Sequence, residues 1–250
     1  MIFDIFFQIH AIFNFPFFHI IIEEMKDNIL VVSGYNDKTN HEVLQIIHKY
    51  PNVYGTIGIH PSEISDIKDE FFAFIEANIT DPKIVGIGEI GLDYHFDRSN
   101  MEQQKLVFQK QLDIASKYHK TVVIHSRDAI EDTYNILKKY SVKSIIHCFS
   151  SSYEMALKFI SMGSMLGIGG VLTFKNSEKL KEIVKKIDIS HLVLETDSPY
   201  LTPEPYRGKK NKPIYTLLVA KKISELKNIS LESVLKETTN NACAQFDLNL

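Results

Sequence analysis

Four side chains in this chain have the types and spacing to hold a divalent cation: Glu89, His125, His147 and Asp197. Each follows a short β-like run: Ile84–Ile87 before Glu89, Thr121–Ile124 before His125, Ser144–Ile146 before His147, and His191–Thr196 before Asp197. The separations of 36, 22 and 50 residues are too long for a local turn site, so these side chains meet only through the fold. Two imidazoles and two carboxylates suit Zn²⁺, Mn²⁺ or another borderline divalent ion. A glutamate between two such ions can bridge them, and ions about 3.5–4 Å apart suit cleavage of a phosphodiester. Asp197 is suited both to ligate one ion and to accept a proton from an attacking water. A lone histidine ending a strand is more often an ordinary hydrogen-bonded residue. Four potential ligands, each closing such a run, are what carry the expectation.

The elements that must position these residues alternate along the chain. Strands are expected over Met1–Phe7, Ile29–Ser33, Val53–Ile59, the four runs above, and Met165–Gly170. Between them, apolar residues recur at helical spacing near Asn40–Tyr50, Ile64–Ile79, Met101–Tyr118, Asp128–Tyr140, Tyr153–Met162 and Ser177–Lys186. In the helix over Met101–Tyr118 the expected buried stripe is Leu106, Phe108, Leu112, Ile114 and Ala115. Such alternation argues for parallel strands with right-handed crossovers. Eight units in 250 residues leave about 30 each, the usual size of a βα repeat in a closed barrel. The expected fold is α/β: a single-domain (β/α)8 TIM-type barrel over residues 1–250. Two closing C-terminal helices are expected near Tyr215–Leu226 and Leu231–Ala242. A barrel of this kind collects its functional residues at the C-terminal ends of the strands.

Composition narrows the class. A net charge of -3 gives no global basic field, so a polyanion partner would have to be held by a local patch or by metal ions. Two cysteines, Cys148 and Cys243, suggest neither a disulfide framework nor a thiolate zinc site, and they fit a reducing cytoplasm. The N-terminal apolar run is broken by Asp4, Gln8, His10, Asn14 and Pro16 and lacks a positive leader, so neither a membrane span nor a signal peptide is expected. No obligate protein partner is evident.

Five ordered motifs resemble the TatD-type metal-dependent deoxyribonucleases, within the amidohydrolase-like barrels. They are Gly58-Ile-His60-Pro61, Gly86-Ile-Gly-Glu89-Ile-Gly-Leu-Asp93-Tyr94, Val123-Ile-His125-Ser-Arg127-Asp128, Ile146-His147-Cys-Phe149-Ser150, and Glu195-Thr-Asp197-Ser-Pro199-Tyr-Leu201. Arg207-Gly208, Asn211 and Pro213 continue the match, which runs from about Ile29 to the C-terminus. The resemblance implies that Glu89 bridges two metals, that His125 and His147 hold one, and that Asp197 holds the other. It also implies a hydrolase with one or two divalent ions (Zn, Mg or Mn), acting exonuclease-like on single-stranded or frayed DNA. Hydrolysis of a small amide or ester is the alternative chemistry for the same ligands.

The departure lies at the front. Much of the family opens with an Asp-x-His-x-His strand supplying two further ligands. Here Asp4 fits that opening, but Phe6 and Gln8 stand where the histidines would be. Residues 4, 6 and 8 share one strand face by period two, so Phe6 would point into the barrel mouth. Seven of the 16 phenylalanines fall within residues 3 to 18. A catalytically impaired nucleic-acid-binding relative is therefore a third reading.

Other residues carry smaller expectations. His60, ending the third strand, is a candidate contact for a substrate phosphate. Asp93 is expected to orient a loop, and Arg127 with Asp128 to begin a helix as a local pair. Gly167-Ile-Gly-Gly170 reads as a tight turn at the rim rather than a phosphate loop. Cys148 reads as a small buried neighbour of His147. The loop after Asp197 carries Arg207, Lys209, Lys210 and Lys212 beside Tyr200 and Tyr206, and on a barrel it would face the mouth. Arg207, Lys209 and Lys210 are the candidate DNA contacts, with tyrosines available to stack on an unpaired base.

Overall fold

The computed structural model describes the backbone of residues 3–8, and residues 22–249 apart from 66 and 96. Eight parallel strands form one sheet in strict sequence order. They are β1 (Phe3–Gln8), β2 (Ile29–Ser33), β3 (Val53–Ile57), β4 (Ile84–Asp93), β5 (Thr121–Arg127), β6 (Ser144–Ile146), β7 (Met165–Ile168) and β8 (Leu192–Leu194). The sheet curls until β8 lies beside β1, in the manner of the expected barrel. Helices α1 (Asp37–Lys49), α2 (Asp69–Asn78), α3 (Met101–Tyr118), α4 (Ile130–Leu137), α5 (Tyr153–Ile160) and α6 (Glu178–Lys186) connect successive strands, and α7 (Thr216–Lys227) and α8 (Leu231–Gln245) close the chain.

Strand alternation sorts the core into two layers. Leu30, Val32, Val122, Ile124, Leu192 and Leu194 pack outward against the helices. Their neighbours Ile29, Val31, Val85, Val123, Ile145 and Val193 pack together inside, with Ala242 and Phe246 from the end of the chain. Thr121 and Ser144, the first residues of β5 and β6, bond to Gln245 at the end of α8. The C-terminal helix therefore plugs the N-terminal end of the barrel, and the opposite end remains for a site. Truncating Phe246, only 4% exposed, to alanine should cost about 3–5 kcal/mol of stability. Chemical denaturation checks this, and a loss within about 0.5 kcal/mol of zero would contradict the plug.

Several boundaries differ from the sequence expectation for identifiable reasons. Helix α1 starts at Asp37 rather than near Asn40 because Asn36 and Thr39 form a reciprocal capping box. The strand before Asp197 is shorter than expected, ending at Leu194. On α3, Leu106 is 63% exposed while Gln104 and Gln111 are buried, so the buried face comprises Gln104, Val107, Phe108, Gln111, Leu112, Ile114 and Ala115. Arg127 ends β5, and α4 begins at Ile130 rather than at Asp128. In β1 the pairing register with β2 shifts between Asp4 and Phe7. The side chains of Phe6 and Gln8, and the phenylalanine-rich stretch after them, lie outside the described residues.

Candidate active site

Glu89 does not end its strand. It sits within β4, where the pairing with β5 slips by one residue between Ile87 and Ile90. A bulge of this kind re-aims a side chain without ending the ladder. Three buried amides latch the neighbouring strand ends from the helices. Asn40 bonds both ways to the backbone of Gly58, Gln111 to that of Ile59, and Gln104 to that of Asp93. These latches set the backbone that carries His60 and Asp93. Gly167 leaves room for another site residue, since a Cβ there would lie 2.3 Å from Glu195 Oε2.

The side chains meet in a cavity of about 830 Å³ lined by His60, Glu89, His125, His147 and Asp197, among others. Glu89 Oε1 is 2.9 Å from His125 Nδ1 and 3.9 Å from both His60 Nε2 and His147 Nε2. The other nitrogen of His125 lies 3.0 Å from Asp93 Oδ2. His147 bonds through Nδ1 to Glu195 Oε2 at 2.9 Å, which turns Nε2 toward Asp197 Oδ1, 3.6 Å away. That separation is too long for a hydrogen bond, and among the described residues Asp197 Oδ1 has no hydrogen-bond partner. Glu195 also accepts the Cys148 amide at 2.7 Å.

Four carboxylates (Glu89, Asp93, Glu195 and Asp197) are thus gathered around His60, His125 and His147, all of the carboxylates less than a tenth exposed. Burial works against ionised Glu89, but His147 and the hydrogen bond from His125 outweigh it and hold its carboxyl at about 2. Burial lowers His125 too, yet its bonds to Asp93 and Glu89 raise it to about 9. His60 is different: burial dominates and lowers it to about 4, leaving a neutral ring. Burial pushes Asp197 above its ordinary value, only partly countered by His147.

These directions have a consequence for metal-free protein. A histidine raised on folding stabilises fully below its unfolded value, and that contribution fades as pH rises through the folded value. His125 should therefore withdraw on the order of 2–3 kcal/mol between pH 6.5 and about 9. Urea denaturation in chelator checks this, and a flat profile across that window would contradict the His125 clamp.

The donor set fits a cation. Two groups of side chains, His60 with Glu89 and His125, and His147 with Cys148 and Asp197, each offer ligand atoms within 4.8 Å of one another. Excess buried carboxylate and an orphaned Asp197 oxygen are what a divalent ion would neutralise. His147 Nε2 faces both carboxylates, 3.6 Å from Asp197 and 3.9 Å from Glu89.

Of the residues expected from sequence, Glu89, His125, His147, Asp197 and His60 come together. Arg207, Lys209 and Lys210 do not line the cavity. They lie exposed in a neighbouring loop, where the Arg207 guanidinium stacks 3.6 Å from the Phe174 ring. Asn211 ties that loop to the site by donating to the carbonyls of Thr196 and Tyr200. Arg127 does line the cavity, and Asp128 pairs with His95 at 3.0 Å. Asp93 does more than orient a loop, because it accepts the His95 amide and also holds His125. Glu195 is a site residue to which the sequence alone assigns no role. Its signal was a carboxylate directly after three apolar strand residues, a position that demands a partner once buried.

No helix among the described residues is long and apolar enough to cross a membrane. The profile of the TatD related DNase family matches residues 19–247. The uncharacterized metal-dependent hydrolase YabD of Bacillus subtilis (strain 168) is 42% identical over 223 residues, covering 88% of each chain. The uncharacterized metal-dependent hydrolase TatD of Mycobacterium tuberculosis is 31% identical, covering 78% of this chain and 77% of its own. Among solved structures, the TatD homologue YJJV of Escherichia coli k12 superposes with a TM-score of 0.91 at 24% identity, over 99% of this chain and 98% of its own. The barrel, the strand order and these relatives agree: the chain belongs to the TatD related DNase family of metal-dependent hydrolases.

Proposed function

We propose that this chain hydrolyses phosphodiester bonds in DNA, acting on single-stranded or frayed ends. Glu89, His125, His147 and Asp197 would hold the divalent ion or ions. The observation that carries this reading is the convergence of these side chains in one open cavity around an orphaned Asp197 oxygen. A bound divalent ion supplies charge that polarises a phosphoryl oxygen and acidifies a water.

The protein's own groups do the rest. Glu195 fixes the His147 ring so that Nε2 faces the centre, and Asp93 does the same for His125 from its far nitrogen. Asp197, whose Oδ1 has no hydrogen-bond partner among the described residues, accepts the proton of the attacking water. With Nδ1 of neutral His60 accepting the Ser62 amide, Nε2 carries the proton and donates to a phosphate oxygen. Arg127 adds a two-pronged donor on the cavity wall. Tyr200, 52% exposed at the same cavity, offers a face for an unpaired base.

The basic loop serves the strand beyond the cavity. Neutralising Lys209, Lys210 and Lys212 should flatten the dependence of DNA binding on log salt by up to roughly 0.7 per lost phosphate contact. An unchanged slope would remove the loop from the binding surface.

The deciding experiment incubates metal-stripped protein with end-labelled single-stranded DNA, with and without Zn²⁺, Mn²⁺ or Mg²⁺, alongside a small carboxylic ester. Ion-dependent DNA cleavage exceeding ester turnover supports the reading. DNA bound but uncut with every ion would support the impaired binding relative instead. Ester turnover without DNA cleavage would support the small-substrate hydrolase.

A further inference from the structure

Among the described residues, the side of the centre next to β8 offers few donors. Zn²⁺ usually takes four ligands in tetrahedral array. His147 and Asp197 reach this side directly, and Glu89 lies 3.9 Å from His147. The first strand, Phe3–Gln8, contains one carboxylate and neither an imidazole nor a thiol. Yet Asp197 Oδ1 is buried in a residue only 9% exposed and is left without a hydrogen-bond partner.

Cys148 stands at that position. It lines the cavity, and its sulfur lies within 4.8 Å of ligand atoms of both His147 and Asp197. Its placement is fixed by the group that fixes His147: one Glu195 oxygen accepts the Cys148 amide at 2.7 Å, the other holds the His147 ring at 2.9 Å. A single carboxylate therefore sets both donors against Asp197. Cys148 is also not consumed in a disulfide.

We propose that Cys148 is a thiolate ligand to the divalent ion held by His147 and Asp197, and that it biases this side toward Zn²⁺ or Co²⁺ over Mg²⁺. The proposal rests on the metal-centre reading above. On binding, the S–H bond breaks, its proton passes to solvent, and the sulfur lone pair is donated to the ion. No redox change is involved. Thiolate is a soft donor that favours zinc-like ions, whereas magnesium demands oxygen ligands.

Cobalt titration of the metal-free protein under reducing conditions separates the two claims. Visible ligand-field bands report Co²⁺ in the centre, whatever its ligands. A sulfur-to-cobalt charge-transfer band in the near ultraviolet reports a thiolate ligand. Wild-type protein and Cys243→Ser should give both signals. Cys148→Ser should keep the visible bands and lose the charge-transfer band, and its Zn²⁺ affinity should fall about tenfold or more. Its Mg²⁺ affinity should change far less. Alkylation followed by peptide mapping supplies a second readout, with Zn²⁺ expected to protect Cys148 in the wild-type protein. Visible bands without charge transfer in the wild type would overturn the thiolate assignment and leave the metal centre standing. So would a band that survives Cys148→Ser. No Co²⁺ binding at all would overturn the metal centre, and this proposal with it.

Discussion

Replacing Glu89 with glutamine should lower kcat/KM for metal-dependent DNA cleavage by at least about 10³-fold, or about 4 kcal/mol of transition-state stabilisation. The expectation follows from position. One Glu89 oxygen lies within 2.9 Å of His125 and 3.9 Å of both His60 and His147, so among the described residues no other carboxylate is as central to the cluster. The same change should weaken the metal-free protein, because removing one partner of a buried ion pair costs about 3–5 kcal/mol. The pH dependence distinguishes this from nonspecific damage. A carboxylate held at about 2 stabilises above its ordinary value of 4.5, and that stability is lost as pH falls toward the folded value. The stability gap between wild type and Glu89→Gln should therefore close in acid. A gap that stays constant down to pH 2–3 would mean the Glu89 charge is not what holds the site together.

Asp197→Asn should behave in the opposite way on stability while still removing catalysis. Turnover should fall about 10²–10⁴-fold through loss of the proton acceptor, beyond any loss of metal. In chelator at neutral pH, however, the variant should be more stable than the parent. Burial raises the Asp197 carboxyl above 3.8, with Glu89 and Glu195 adding to it, so ionisation above that pH penalises the folded state. An amide at this position removes the penalty. Urea denaturation of both proteins in chelator tests this. A less stable Asp197→Asn would show that the carboxylate is already compensated without an ion.

How much of the site could be read from sequence depends on what each residue does. Glu89, His125, His147 and Asp197 were legible because ligand-forming side chains following β-like runs stand out against an apolar background. The barrel followed from alternation, and the eight strands lie in sequence order. Gln104 and Gln111 were not legible, since an amide on an amphipathic helix looks like its solvent face. Only the structure reveals that both point inward to latch strand ends, while apolar Leu106 points out. The bulge at Glu89 was equally hidden, because a one-residue slip leaves no mark in an Ile-Val-Gly-Ile-Gly run. The basic loop was visible as charge, but its offset from the cavity depends on the Asn211 anchor and the Arg207–Phe174 stack. Glu195 stands in the sequence without a sign of its role, which lies in its two contacts, to the His147 ring and the Cys148 amide.

The central claim is that these carboxylates and imidazoles form a metal centre, and anomalous diffraction from crystals grown with Mn²⁺ or Zn²⁺ tests it most directly. The account predicts strong anomalous density inside the cavity, within coordination distance of Glu89, His125, His147 and Asp197. Anomalous density confined to the protein surface, with His125 still clamped between Glu89 and Asp93 in the presence of excess ion, would contradict it.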